Sequence, residues 1–322
     1  DRAYSETCAG IASVMFSWRL LLSGGQAAHA DLIERTLFNV VATSPSADGR
    51  SFFYANTLHQ RVPGVVPDPD ETSPRASSSL RAPWFEVSCC PPNVARTLAS
   101  LDAYVATADD RGIQIHQFAP AEIRATLDDG RDVSLDVATR YPSDGVVRVT
   151  VNHAADEAWT LSLRVPEWAE EATLRVWSDG AVVESAPVSA GWAAVTRAFR
   201  AGDTVELELP MAPRLVVPDP RIDAVRGCVA VERGPEVWAL ESVDLRHGAD
   251  VGDVVLNAEV APIEGNGRVW VSVTDRPADT GGWPYGDADA APVGDPRRVA
   301  LVPYHDWGNR GPSTMRVWMP TA

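Results

Sequence analysis

The chain contains no lysine: its 28 basic residues are all arginine, set against 44 acidic ones, giving a net charge of −16 over 322 residues. A protein this acidic repels nucleic acid and anionic membranes, so neither is expected as a partner. The missing lysine reads as GC-rich coding rather than mechanism. Cysteine is scarce as well, and four in the chain exclude a disulfide scaffold. No apolar run reaches the length of a membrane span, and no internal repeat is visible. Also absent are a nucleophile elbow, a phosphate loop, a dinucleotide fingerprint and any H-x-x-x-H pair. No signal-peptide pattern is visible in the sequence, which says little where the chain does not open on Met. The chain opens on Asp1-Arg2-Ala3-Tyr4 and almost at once enters a helical pattern, which reads as a fragment whose start lies upstream.

What is present is globular: 45% hydrophobic residues, 11 of them Trp, on a length that anticipates two or three domains. Residues 1–105 read as helices and long loops. One helix is expected from about Thr7 to the stop signal Gly24-Gly25, and a second from Ala27 to Val41 with Leu32, Ile33, Thr36, Leu37 and Val40 buried. Ser51–Leu58 is expected to be extended, and 60–82 to be a surface loop. From about 106 the apolar period changes from 3.6 to 2, as in Val133-Leu135-Val137, Val147-Val149-Val151 and Leu161-Leu163-Val165. Turns such as Asp129-Gly130 and Asp179-Gly180 separate these runs, which predicts antiparallel sandwiches. A proline-rich stretch at 210–220 marks a further boundary, and 281–296 is expected to be a loop. The division expected is 1–105, 106–215 and 216–322.

Half of the cysteines sit in Ser88-Cys89-Cys90-Pro91-Pro92-Asn93, ahead of an apolar stripe at 94, 95, 98, 101 and 104 that predicts a helix. Thiols placed just before a helix N-terminus ionise more readily, which suits a nucleophile or a metal ligand. Adjacent cysteines rarely bond to each other, because the intervening peptide is strained. A reducing compartment or a protecting metal fits better, and a cytoplasmic location is expected. Glu6 and Cys8 would point about 200° apart in a regular helix, so they can share a ligand only if they lie in the irregular entry to the first turn. With Cys89 and Cys90 they supply one carboxylate and three thiols, a reasonable tetrahedral set for zinc (Zn2+), although the spacing lacks the paired C-x-x-C of zinc ribbons. His29, His59 and His116 read as surface or core residues, Cys228 as core, Glu34 as a solvated helix carboxylate and Tyr54 as packing.

The motifs Ala3-Tyr4-Ser5-Glu6-Thr7-Cys8-Ala9, Trp84-Phe85 with Cys89-Cys90-Pro91-Pro92-Asn93, Glu232-Arg233-Gly234-Pro235, Leu301-Val302-Pro303-Tyr304 and Asn309-Arg310-Gly311-Pro312 occur in that order. Together they resemble the beta-L-arabinofuranosidases of glycoside hydrolase family 127. The resemblance implies an α+β multidomain fold, the C-terminal remnant of an (α/α)6 barrel followed by two antiparallel β-sandwich domains. It implies a retaining glycoside hydrolase acting on an L-arabinofuranoside or related glycoside. Glu6, Cys8, Cys89 and Cys90 would hold zinc, Cys89 would attack the anomeric carbon, and Glu34 and Tyr54 would line the sugar pocket. The family's general acid/base, a glutamate ahead of the Glu-Thr-Cys motif, would lie upstream of residue 1, so the fragment by itself is expected to be inactive. The competing expectation is a carbohydrate-binding or scaffolding β-sandwich module with a structural zinc site. A homodimer is compatible with either.

Overall fold

The structure is a computed structural model, and it describes residues 5–74, 81–153, 157–246, 249–276 and 294–321. Most of the loop expected at 281–296 lies outside the described residues. The fold is mixed α+β, with few helices and extensive sheet. It divides into two compact units: Asp1–Gly10, Phe38–Val94 and Ala212–Ala322 form one, and Ile11–Leu37 with Ala95–Met211 the other.

In the first unit a ten-stranded sheet is built around Cys228–Arg233 and Glu236–Glu241. Every residue of both strands is buried, because the sheet has a core on each face. Val229, Val231, Trp238 and Leu240 pack with Val254, Val269, Val271 and Leu301 on one side. Their sequence neighbours Ala230, Val237 and Ala239 pack with Phe53, Tyr304, Trp307 and Met315 on the other. The period of two carries this partition, since successive strand side chains point to opposite faces. The expected loop 60–82 is not wholly at the surface: Arg81 is buried, with its guanidinium on the carbonyls of Thr43, His305 and Trp307 and over the Phe53 ring.

The second unit holds a four-stranded and a six-stranded sheet. The six-stranded sheet is antiparallel throughout and buries alternate residues, Val133, Leu135 and Val137 on one strand and Val147, Val149 and Val151 on the next. The four-stranded sheet departs from the antiparallel expectation, because Gly112–Ile115 runs parallel to Trp159–Val165. That pairing is possible because the two strands are far apart in sequence, leaving room for a crossover.

Helix α1, Thr7–Gly24, ends as expected, with Gly25 at φ 66° and its N–H on the Leu21 carbonyl. It is long and apolar enough, by length and composition alone, to cross a membrane, which corrects the expectation that no run reaches that length. Its Ile11, Val14, Ser17 and Leu21 are buried. Helix α2, Ala27–Thr36, passes into a π-helical turn at Leu37–Val41. Its buried face is Ala27, Ala30, Ile33 and Glu34, so Leu32, expected inside, is exposed on the opposite side. Helix α3, Cys90–Leu98, is shorter than its apolar stripe predicts. Ser100 turns its hydroxyl back onto the Arg96 carbonyl, and the chain resumes as a 3-10 turn over Leu101–Tyr104.

Candidate metal and thiolate site

Three short segments of the first unit converge on the cysteines. Glu6 forms an isolated antiparallel bridge with Ala55, fastened by Thr7 N–H to the Tyr54 carbonyl (3.1 Å) and Asn56 N–H to the Ser5 carbonyl (2.8 Å). Glu6 is therefore extended, and α1 starts only at Thr7. This is the irregular entry that lets Glu6 and Cys8 face a common point. The extended run Phe52-Phe53-Tyr54 sorts its side chains by alternation. Phe53 enters the sheet core, while Phe52 and Tyr54 join Ala82, Phe85 and Cys90 in a separate cluster flanked by Cys8. Pro91 and Pro92 occupy the first turn of α3, where a missing N–H costs nothing. Cys90 becomes the first helical residue and Cys89 the one before it.

The ligating atoms of Glu6, Cys8, Cys89 and Cys90 all lie within 4.8 Å of one another, a grouping able to hold a metal ion. Cys8 Sγ and Cys90 Sγ are 3.7 Å apart, and Cys89 Sγ is 3.7 Å from Glu6 Oε1. Cys90 is fully buried and Cys89 is exposed, so one thiol of the pair is sealed in and the other is open to a ligand. Burial pushes the Cys90 thiol well above its ordinary range, and the neighbouring thiols push it further. Burial likewise raises Cys8, partly offset by the Asn93 side-chain amide, which donates to Cys8 Sγ at 3.0 Å. A divalent cation would reverse this balance by favouring the thiolates. The Tyr54 hydroxyl lies 3.9 Å from Cys89 Sγ.

The structure thus brings together Glu6, Cys8, Cys89, Cys90 and Tyr54. Glu34 belongs to the other unit, where it is buried rather than solvated. Its carboxylate pairs with Arg164 at 2.5 Å and accepts from the Tyr141 hydroxyl at 2.7 Å and from the Trp168 indole at 3.4 Å. Asn93 was not singled out by its chemistry. The available signal is its place three residues after Cys90, on the same helical face. Of the histidines, His116 is buried in the second unit, and burial drives it down to about 4. Cys228 is buried in a strand, as expected.

Comparison with known proteins agrees across the chain. Residues 1–103 match the family model described as "Beta-L-arabinofuranosidase, GH127 catalytic domain", 112–211 the GH127 middle domain, and 213–320 the glycoside hydrolase family 127 C-terminal domain. A curated relative, the non-reducing end beta-L-arabinofuranosidase of Bifidobacterium longum subsp. longum, is 33% identical over 99% of this chain and 49% of its own length. A solved GH127 beta-L-arabinofuranosidase from Geobacillus stearothermophilus T6 is 30% identical with a TM-score of 0.84, over 99% of this chain and 50% of that one. A solved structure described as a glycoside hydrolase is 32% identical with a TM-score of 0.82, over 99% of this chain and 52% of that one. The chain spans about half the length of the curated relative it matches. With the motifs, the converging cysteines and three models of one family covering it nearly end to end, the chain belongs to glycoside hydrolase family 127.

Proposed function

We propose that this chain supplies the metal and nucleophile part of a retaining beta-L-arabinofuranosidase, with zinc held by Glu6, Cys8, Cys89 and Cys90. The observation that carries the reading is the spacing of the four donors. A tetrahedral zinc with Zn–S of about 2.3 Å and Zn–O of about 2.1 Å has S···S edges of about 3.8 Å and S···O edges of about 3.6 Å. The Cys8–Cys90 and Cys89–Glu6 separations, both 3.7 Å, fit those edges. When bound, the ion would keep the thiolates deprotonated at neutral pH.

Cys89 is the member of the set open to solvent, and it stands at the α3 N-terminus, where the helix dipole favours negative charge. Its sulfur would attack the anomeric carbon as the glycosidic bond breaks, the leaving oxygen taking the electron pair and a proton from an acid. Water would then displace the sulfur with the same residue acting as base, restoring the thiolate and the starting configuration. On the family resemblance, that acid/base would be a glutamate ahead of Glu6. Tyr54 would steady Cys89 and meet a sugar hydroxyl. Glu34 enters the proposal with its carboxylate already shared: a sugar hydroxyl would compete with Arg164, Tyr141 and Trp168 for its lone pairs. The three helices are assigned to an (α/α)6 barrel and the sheets to two β-sandwich domains, on the division 1–105, 106–215 and 216–322. The family-model matches at 1–103, 112–211 and 213–320 support the boundaries of this division.

The test is metal analysis and hydrolysis on the full-length protein. About one zinc per chain is expected, with Cys90→Ser lowering zinc content and Cys89→Ser abolishing turnover even where zinc remains. A metal-free protein with undiminished activity overturns the zinc assignment. Equal losses in both variants, tracking zinc content alone, would leave a structural metal site.

A further inference from the structure

The second unit contains a cavity of about 660 Å³, within the roughly 300–1,000 Å³ range of small-molecule sites. Its floor is the outer face of the four-stranded sheet. Ala194, Ser162, Gln114 and Thr107 lie side by side there as direct cross-strand partners, one from each strand. The end of α1, from Leu21 to Gly25, contributes a wall, and Trp192 stands beside it with its indole N–H fixed on the Gly25 carbonyl at 2.8 Å. The row is made of small or polar side chains, with Thr107 and Gln114 half-buried, Ser162 buried and Ala194 exposed.

The polar groups are ordered but not all are satisfied. Gln114 donates to Asp109 Oδ1 at 3.1 Å, which turns its carbonyl oxygen toward the Thr107 hydroxyl at 2.8 Å. Thr107 has a single proton to give, so His116 Nε2, 2.8 Å away, must donate to it. The remaining ring nitrogen of His116, Nδ1, is then an acceptor, and it is buried without a partner. Ser162 lines the same cavity at 9% exposure, beside Gln114. Buried polar atoms left unmatched are uncommon and call for a ligand or ordered water. The charges at the mouth cancel, because Asp109 is paired with Arg111 at 3.2 Å.

We propose that this cavity is a second, non-catalytic binding site for a neutral sugar, with Trp192 as an apolar platform and Ser162 and Gln114 meeting hydroxyls. The balanced charge argues against an anion or a cation, and a rigid indole beside a row of hydroxyl and amide groups suits the alternating C–H and O–H surface of a monosaccharide. The choice of L-arabinose as probe rests on the function proposed above. The site itself does not depend on that reading.

The experiment is a titration of the full-length Cys89→Ser protein with L-arabinose, following the indole N–H resonance of Trp192 by NMR, the peak being identified by its loss in Trp192→Phe. A saturable shift is expected. Ser162→Val should weaken it about fivefold, the value of one neutral hydrogen bond, while leaving kcat/KM of the otherwise wild-type enzyme unchanged. An indole signal unmoved by the sugar, or a titration that Ser162→Val does not alter, overturns the proposal. Because Trp192 is read in a protein that cannot turn over, failure here is distinct from failure of the catalytic reading, which is measured by hydrolysis.

Discussion

Replacing Arg164 should be among the most costly substitutions in the second unit. Its side chain is entirely buried, and it gives Nε to the His116 carbonyl at 2.6 Å, Nη1 to Asp31 at 2.5 Å and Nη2 to Glu34 at 2.5 Å. In Arg164→Met the Glu34 carboxylate stays buried, with only the neutral Tyr141 and Trp168 donors beside it. Breaking a buried pair from one side costs about 3–5 kcal/mol, which at roughly 2–4 °C per kcal/mol lowers Tm by about 6–20 °C. Adding Glu34→Gln removes the stranded charge, so the double variant should be more stable than the sum of the two losses requires, by at least about 1 kcal/mol. Thermal and urea unfolding of the four proteins read this cycle. A shift under about 2 °C for Arg164→Met, or strict additivity, refutes the reasoning. The same Glu34→Gln protein separates two roles for that residue: an unchanged KM leaves it as an anchor for α2, and a raised KM makes it a sugar contact as well.

Two further substitutions and a pH titration follow from the geometry. Burial raises the Glu236 carboxyl to about 7, so between about pH 4.5 and 7 the folded protein keeps a proton that the unfolded chain has lost. Stability from this group is full below about pH 4.5 and falls by about 3 kcal/mol as pH rises through 7. Glu236→Gln should flatten that slope in unfolding experiments, and an unchanged slope contradicts the assignment. Gly112 has φ 154°, and a Cβ there would stand 1.9 Å from the Thr160 carbonyl oxygen. Gly112→Ala should therefore cost more than about 2 kcal/mol, and a chemical-denaturation midpoint equal to that of the parent would refute it.

The sequence made the local elements legible where pattern and punctuation agreed. Helix α1 stops at a glycine that must adopt positive φ, and the strands Asp132–Thr139 and Val146–His153 alternate because one face is buried. The strand Ala181–Val188 could not be read this way, since nearly all of it is exposed and no alternation is imposed. Gly112–Ile115 alternates, yet nothing local shows that its partner runs parallel, because register belongs to residues nearly fifty positions away. The site was legible for a similar reason in reverse: three thiols and a carboxylate are rare enough to be noticed. What the spacing could not supply was their convergence, which depends on the Glu6–Ala55 bridge and on Tyr54 facing Cys90 rather than the sheet core. Glu34 was misread as solvated because a carboxylate on a helix says nothing of an arginine 130 residues later.

The central claim is that Cys89 is the nucleophile within a metal-binding thiolate set, and covalent labelling tests it most directly. An electrophilic beta-L-arabinofuranosyl analogue, incubated with the full-length enzyme and followed by peptide mass analysis, should add one sugar-sized mass to the peptide containing Cys89-Cys90-Pro91-Pro92. The adduct should map to Cys89, disappear in Cys89→Ser and coincide with loss of activity. Inactivation by the analogue with the label on another residue, or with no adduct at Cys89, would contradict the account.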